Sequence, residues 1–199
     1  MSFKSSTLRY FLVYKPYQFL SQFSPETAGQ KTLADLGFSF PTDAYPIGRL
    51  DYDSEGLLLI SNDKKIVDIL LNPLHEKAKT YLAQVEGAAT ETQLASLSAG
   101  VEINHNGQKY TTLPAQVQLL ADAPDYLPAR NPPIRYRAAI ATSWISLTIK
   151  EGKNRQVRKS CAAVGLPVLR LIRTQIANFT LLEHQLTSGQ VVEVTKPIL

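Results

Sequence analysis

Gly48-Arg49-Leu50-Asp51-Tyr52-Asp53-Ser54-Glu55-Gly56-Leu57-Leu58 (GRLDYDSEGLL) puts a cluster of charge between two apolar runs. Ala44 to Ile47 leads into it as a strand-like approach, and Leu57 to Ile60 leaves it as a short buried strand. Pro46 and Gly48 exclude a helix on the entry side. Asp51, Asp53 and Glu55 fall at alternate positions, and Gly56 releases the chain into the second run. The pattern is that of a loop held between strands, the setting in which binding and catalytic groups concentrate.

Outward from this loop the signals alternate between strands and short helices. Tyr10 to Tyr14 is aromatic and β-rich and is ended by Lys15-Pro16. Leu20 to Ser24 could pair beyond it. Lys31 to Leu36 suits a short helix stopped at Gly37. Asn62 or Asp63 could cap a helix to Leu71, with Ile66, Val67, Ile69 and Leu70 inward, before Asn72-Pro73 ends it. Lys79 to Val85 alternates as a strand. Thr90 caps a helix over Glu91 to Leu97 that Gly100 terminates. Asn106-Gly107 marks a hairpin turn within Glu102 to Lys109. Strands are expected at Pro114 to Leu120, Tyr136 to Ile140, Trp144 to Ile149, Val168 to Ile172 and Val191 to Val194, with a helix over Arg155 to Val164. This order predicts an α+β fold, a mixed and mainly antiparallel sheet flanked by helices. Ala121 to Pro133 carries four prolines but leads on to more strands, so it reads as a long loop within one domain spanning 1–199.

Composition narrows the function. The 199 residues are 44% apolar and carry a formal charge of +4, with a pI near 9.1. The excess is local: Lys150 to Lys159 holds five bases against one acid, and Arg170 and Arg173 follow. Such a patch is a footprint for a polyanion. No apolar run approaches membrane-spanning length and the N-terminus lacks a secretion signal, so a cytoplasmic protein is expected. The single cysteine, Cys161, excludes an intrachain disulfide and reads as a core thiol. Asp51, Asp53, Glu55 and Gly56 begin like a calcium loop, but the twelfth position is Asn62 where a bidentate Glu is needed. His75, His105 and His184 are scattered, so no metal site is expected, and no phosphate-loop or dinucleotide fingerprint is present.

Four segments in order carry a family resemblance: FLVYKP (Phe11 to Pro16), GRLD (Gly48 to Asp51) followed by a polar turn and GLLL, KTYLAQVEG (Lys79 to Gly87), and EGKNRQVRKSCAAVGLPVLRLIRTQI (Glu151 to Ile176). Together they resemble the pseudouridine synthases that modify ribosomal RNA, in the group of the small-subunit synthase A type. The short large-subunit synthase E type is the most similar. The resemblance implies the pseudouridine synthase catalytic fold and the isomerisation of a uridine, without a cofactor. Many relatives carry an RNA-binding domain ahead of the catalytic part. The opening strand near residue 9 leaves the expectation that this chain has none and reads RNA with its catalytic domain.

The resemblance also implies roles. Asp51 matches the catalytic aspartate, as nucleophile at the ring or the anomeric carbon, or as a base giving a glycal; all three routes stay open. Tyr81 matches the active-site tyrosine, which lies against the flipped uracil. Arg158 matches the active-site arginine, expected to pair with Asp51 and keep it ionised. Phosphate contacts are expected from Arg49, Lys15, Lys153, Arg155, Lys159, Arg170 and Arg173, with Asn154 beside them. The expected partner is ribosomal RNA of the large subunit, at an unpaired or stem-loop uridine that costs least to extract, and the protein is expected to be a monomer. The rival reading is a non-catalytic RNA-binding or ribosome-assembly protein on the same fold. An intact Asp51, Tyr81 and Arg158 argue against it.

Overall fold

The first strand, β1 (Tyr10–Lys15), is buried at all six positions. Its even residues Tyr10, Leu12 and Tyr14 enter one apolar cluster and its odd residues Phe11 and Val13 another, so both faces are covered. The computed structural model describes residues 7–134 and 140–195. After β1 come β2 (Tyr45–Ile47), β3 (Glu55–Ser61), α1 (Lys65–Leu71), β4 (Lys79–Glu86) and α2 (Glu91–Ala99). The hairpin β5 (Glu102–His105) and β6 (Gln108–Thr111), then β7 (Gln116–Leu120), β8 (Thr142–Ile149) and α3 (Gln156–Ala163) follow. The order ends with β9 (Val168–Ile176), β10 (Phe179–Thr180) and β11 (Val191–Val194).

Among the described residues nine strands form one sheet in the order β11-β1-β3-β9-β4-β8-β7, with β2 on β3 and β10 on β9. Every pairing is antiparallel except β3 with β9, where Glu55 faces Ile172 and Gly56 faces Arg173. The expected mixed, mainly antiparallel α+β fold is the one observed. β2 and β9 share one edge of β3, β2 along Leu59 to Ser61 and β9 along Glu55 and Gly56. The charged loop emerges at this junction.

Three apolar clusters fill the layers. One lies under α1 and includes Leu57, Leu59, Ile66 and Leu70. On the opposite face of β1 and β3, Phe38 and Phe40 lie edge-on to Phe11, at ring centroids 5.5 Å away. The third joins α2 and α3 to β4, β8 and β9. Tyr81 packs against the second and third clusters alike.

Several local expectations shift. The second apolar strand begins at Glu55, not Leu57, so the third acid of the cluster is a buried strand residue. Leu20 to Ser24 forms no strand; its nearest pairing is an isolated bridge between Phe19 and Lys31. The helix expected at Lys31 to Leu36 is one 3-10 turn over Leu33–Leu36, capped by Thr32 and ended by left-handed Gly37. Ile69 on α1 is only half-buried, while Ile66 and Leu70 are buried. The last long strand runs to Ile176. Of the strand expected over Tyr136 to Ile140, residues 136–139 lie outside the described residues and Ile140 is not in a strand.

Candidate active site

Asp51 is fixed from both sides. Ser21 Oγ accepts from Leu50 N at 3.0 Å and donates to Leu50 O at 2.9 Å, and Leu50 itself is buried. On the other side Ser54 N donates to Asp51 O at 3.0 Å, closing a turn. Gln18 N donates to Tyr52 O at 2.8 Å, so the segment after β1 straps the loop down. Gly56, at φ +105°, is set by a close approach: a Cβ there would lie 2.3 Å from Arg173 O. The neighbouring strand therefore touches the backbone where the loop becomes β3.

The loop forms one wall of a pocket of about 490 Å³, a volume suited to a small ligand or nucleotide. The sheet supplies the floor through Lys79 and Tyr81 of β4 and Leu171 and Arg173 of β9. Tyr81 and Arg173 are direct cross-strand partners, next to a register shift between Thr80 and Tyr81. Side chains of directly opposed residues stand on the same face. The segment from Gly152 to Val157, which opens α3, forms the facing wall.

Charge pairing is not what the sequence predicts. Arg155 Nη1 and Nη2 donate to the Asp53 carboxylate at 2.9 and 2.8 Å, a bidentate fork, and Nη1 lies 3.6 Å from Asp51. Arg155 sits in the left-handed region at φ 52°, a strained conformation of the kind that collects at functional sites. Arg158, expected to pair with Asp51, instead donates to Asp53 O at 2.6 Å and Val168 O at 3.1 Å. Its Nε lies 3.5 Å from the Asp53 carboxylate. Arg158 lies one helical turn beyond Arg155, and its contacts go to Asp53 and to the start of β9. Asp53 is thus the shared anchor of both arginines.

Burial pushes the Asp51 carboxyl above its ordinary value, and Arg155 only partly opposes it. Burial also acts on Asp53, but the Arg155 hydrogen bond and the Arg158 charge outweigh it and hold that carboxyl low. Two acids two residues apart are thus driven in opposite directions by their surroundings.

Of the expected phosphate contacts, Arg49, Lys153, Asn154 and Arg155 line the pocket. Lys159 donates to Asn104 O at 2.9 Å and tethers the β5-β6 hairpin to α3. Lys15 is 0% exposed and donates to Pro16 O and Phe19 O at 2.9 and 2.7 Å, so it cannot reach a phosphate. Burial lowers its pKa to about 7. Arg170 is 6% exposed and forks onto Glu55 at 2.8 Å through Nε and Nη2, which removes it from the RNA surface. Arg173 is 3% exposed yet faces the pocket floor. In each case alternation along a strand buried on both faces turns the base inward. The sequence reading did not single out Lys79, although its spacing of two from Tyr81 puts both on one face of β4. Asp53 was noted only as a member of the acid cluster.

A sequence profile of the RNA pseudouridylate synthases matches residues 9–163. The chain belongs to this family. Ribosomal large subunit pseudouridine synthase E of Vibrio vulnificus is 46% identical over 183 residues, covering 92% of this chain and 74% of that one. Its namesake in Xanthomonas axonopodis pv. citri is 47% identical over 171 residues, 85% of this chain and 86% of that one. Ribosomal large subunit pseudouridine synthase B of Bacillus subtilis is 37% identical, covering 94% of this chain and 68% of its own length. Among solved structures, a pseudouridylate synthase crystal structure superposes with a TM-score of 0.75 at 26% identity, over 95% of this chain and 71% of that one. The family assignment matches the resemblance drawn from the four motifs, and the chain is an RNA pseudouridine synthase.

Proposed function

We propose that this protein converts a uridine of large-subunit ribosomal RNA to pseudouridine, with Asp51 as the catalytic carboxylate. The observation that carries the reading is Asp51 itself: its backbone is locked on both sides, and its side chain reaches a nucleotide-sized pocket whose floor holds Tyr81. Relatives at 46 and 47% identity carry the name of a large-subunit enzyme, which supports that RNA as substrate.

The isomerisation breaks the bond between C1′ and N1, turns the base, and joins C1′ to C5 with loss of the C5 hydrogen. Asp51, whose pKa burial raises, supplies in its ionised form the negative charge or nucleophile at the sugar or ring. Tyr81, on the pocket floor, offers a ring for an extracted uracil to lie against and a hydroxyl for proton transfer at C5. Arg158 acts through Asp53: it holds the turn that carries Asp51 and does not touch the reacting atoms. Arg49, Lys153 and Asn154, at the pocket wall, meet the backbone of an extracted nucleotide in a stem-loop or unpaired region. The catalytic unit works as a single domain and as a monomer in the cytoplasm; among the described residues no helix is long and apolar enough to cross a membrane.

The test is tritium release from ribosomal RNA labelled at uridine C5, comparing wild type with Asp51→Asn. Release by wild type and none by Asp51→Asn is the expected result. No release by either protein, on naked RNA and on ribosomal particles, would leave a binding protein on a synthase fold.

A further inference from the structure

The pocket floor holds more positive charge than its acids neutralise. Asp53 is occupied by Arg155 and Arg158 and Glu55 by Arg170, while Asp51, at the pocket wall, has Arg155 3.6 Å away. Arg173 is left over. Its Nε donates to Leu57 O at 2.8 Å, which fixes the guanidinium plane, while Nη2 is buried without a hydrogen-bond partner. Lys79, 7% exposed, donates to Lys77 O at 3.1 Å and has further N–H bonds to give. Burial, and after it the nearby Arg173, lower the Lys79 pKa. No carboxylate among the described residues pairs with either cation. A buried charge that stays unpaired costs far more than a paired one. Two basic groups on one pocket floor without a carboxylate of their own favour a ligand that brings negative charge there.

We propose that Arg173, assisted by Lys79, binds the carbonyl oxygens of the uracil and stabilises the negative charge the base acquires during the reaction. The proposal rests on the isomerase reading above. In the anomeric route the Asp51 carboxylate bonds to C1′ as the C1′–N1 bond breaks, and the electron pair leaves with the base, spreading over N1, O2 and O4. In the glycal route a C2′ proton is removed and the same pair departs. In the ring route Asp51 adds to C6 and the pair moves onto O4. Each route places negative charge on a carbonyl oxygen of uracil, and none needs a co-reactant. A guanidinium whose Nη2 is already oriented by its own Nε contact is preorganised for that charge, the condition under which electrostatic stabilisation is most effective. The location agrees: Arg173 is the direct cross-strand partner of Tyr81, so a base lying against the ring has its edge toward the guanidinium. A backbone phosphate is the competing ligand chemistry. It fits less well, because the exposed arginine, Arg49, is at the wall, whereas Arg173 is at the buried floor.

The experiment crosses Arg173→Lys with substrate atoms. The probe is the ribosomal RNA fragment that contains the modified uridine, bearing uridine, 4-thiouridine or 2-thiouridine at that position. Single-turnover loss of the C5 hydrogen and RNA affinity are both measured. Sulfur is a poorer acceptor than oxygen, so wild type should slow by about tenfold or more on the thio-base that meets Arg173. Arg173→Lys should slow on uridine by about 10²-fold with its RNA affinity within about twofold of wild type, and its thio effect should shrink toward one. Lys79→Met should show the same pattern more weakly. Equal thio effects in wild type and Arg173→Lys, with both proteins folded to the same melting temperature, would overturn the proposal. So would a variant that loses affinity and salt dependence but keeps its saturated rate, which is the signature of a phosphate contact. Release from uridine RNA by wild type keeps the isomerase reading intact under either of those results; no release at all would remove both.

Discussion

In the proposed mechanism Asp51 must act as an ion in a site that disfavours ions. Its pKa is raised by burial, and Arg155 is the first charge that opposes the rise. With Asp51 as the proposed catalytic carboxylate, the rate should fall as pH drops through its pKa, and that acid limb should lie above the ordinary aspartate value of about 3.9. Arg155→Gln removes the opposing cation and should move the limb to higher pH. Single-turnover tritium release between about pH 4.5 and about pH 8 reads the shift; an unmoved limb would show that Arg155 does not tune Asp51. The same burial makes Asp51→Asn a stabilising change at neutral pH, because the neutral amide escapes the penalty on the charged form. A rise of about 1–2 °C in melting temperature is expected alongside the lost activity, the usual trade between a site and its scaffold. The sequence made Asp51, Tyr81 and the wall residues legible, since motif and alternation put them on a loop and one strand face. It could not show which arginine meets which acid. That depends on a left-handed Arg155 and on the register of α3 against the loop, neither of which leaves a trace in residue types.

The junction of β3 and β9 holds the site together, and two residues there carry it. Gly56→Ala would push a methyl group into the backbone of Arg173 at a φ that side chains rarely adopt. The strand pair must part or the loop must shift, at about 2 kcal/mol or more, a fall of about 4–8 °C by thermal melting. Glu55 lies one residue earlier and carries the buried fork to Arg170, whose Nη2 also donates to Pro128 O at 2.9 Å. Glu55→Gln alone strands the guanidinium and should cost about 3–5 kcal/mol, whereas the double change Glu55→Met with Arg170→Met should lose much less. Chemical denaturation of the three proteins measures the difference. Elements with strong periodic patterns, β1, β4, α2 and α3, were readable within a residue or two from the sequence. Glu55 and Arg170 were not, because an acid beside a turn and a base in a basic tract both look solvent-facing until β3 and β9 are laid side by side.

Over the whole molecule, a net charge of +4 gives affinity for RNA, but only bases that reach the surface contribute. Arg49→Gln should weaken RNA binding several-fold and lower the slope of log affinity against log salt by about one. Lys15→Met should leave that slope unchanged, since its ammonium is enclosed by backbone carbonyls. Binding titrations at several salt concentrations separate the two. The parallel seam has a consequence for how the protein is born. Glu55 and Arg170 are 115 residues apart in the chain. At a synthesis rate of about 5–20 residues per second, the acidic loop emerges on the order of ten seconds before the strand that completes it. Throughout that interval Glu55 lacks its Arg170 partner and the Glu55–Gly56 end of β3 lacks its β9 neighbour. Closing so long a stretch is also entropically slow. The site is therefore incomplete in the nascent chain until its final third has been translated.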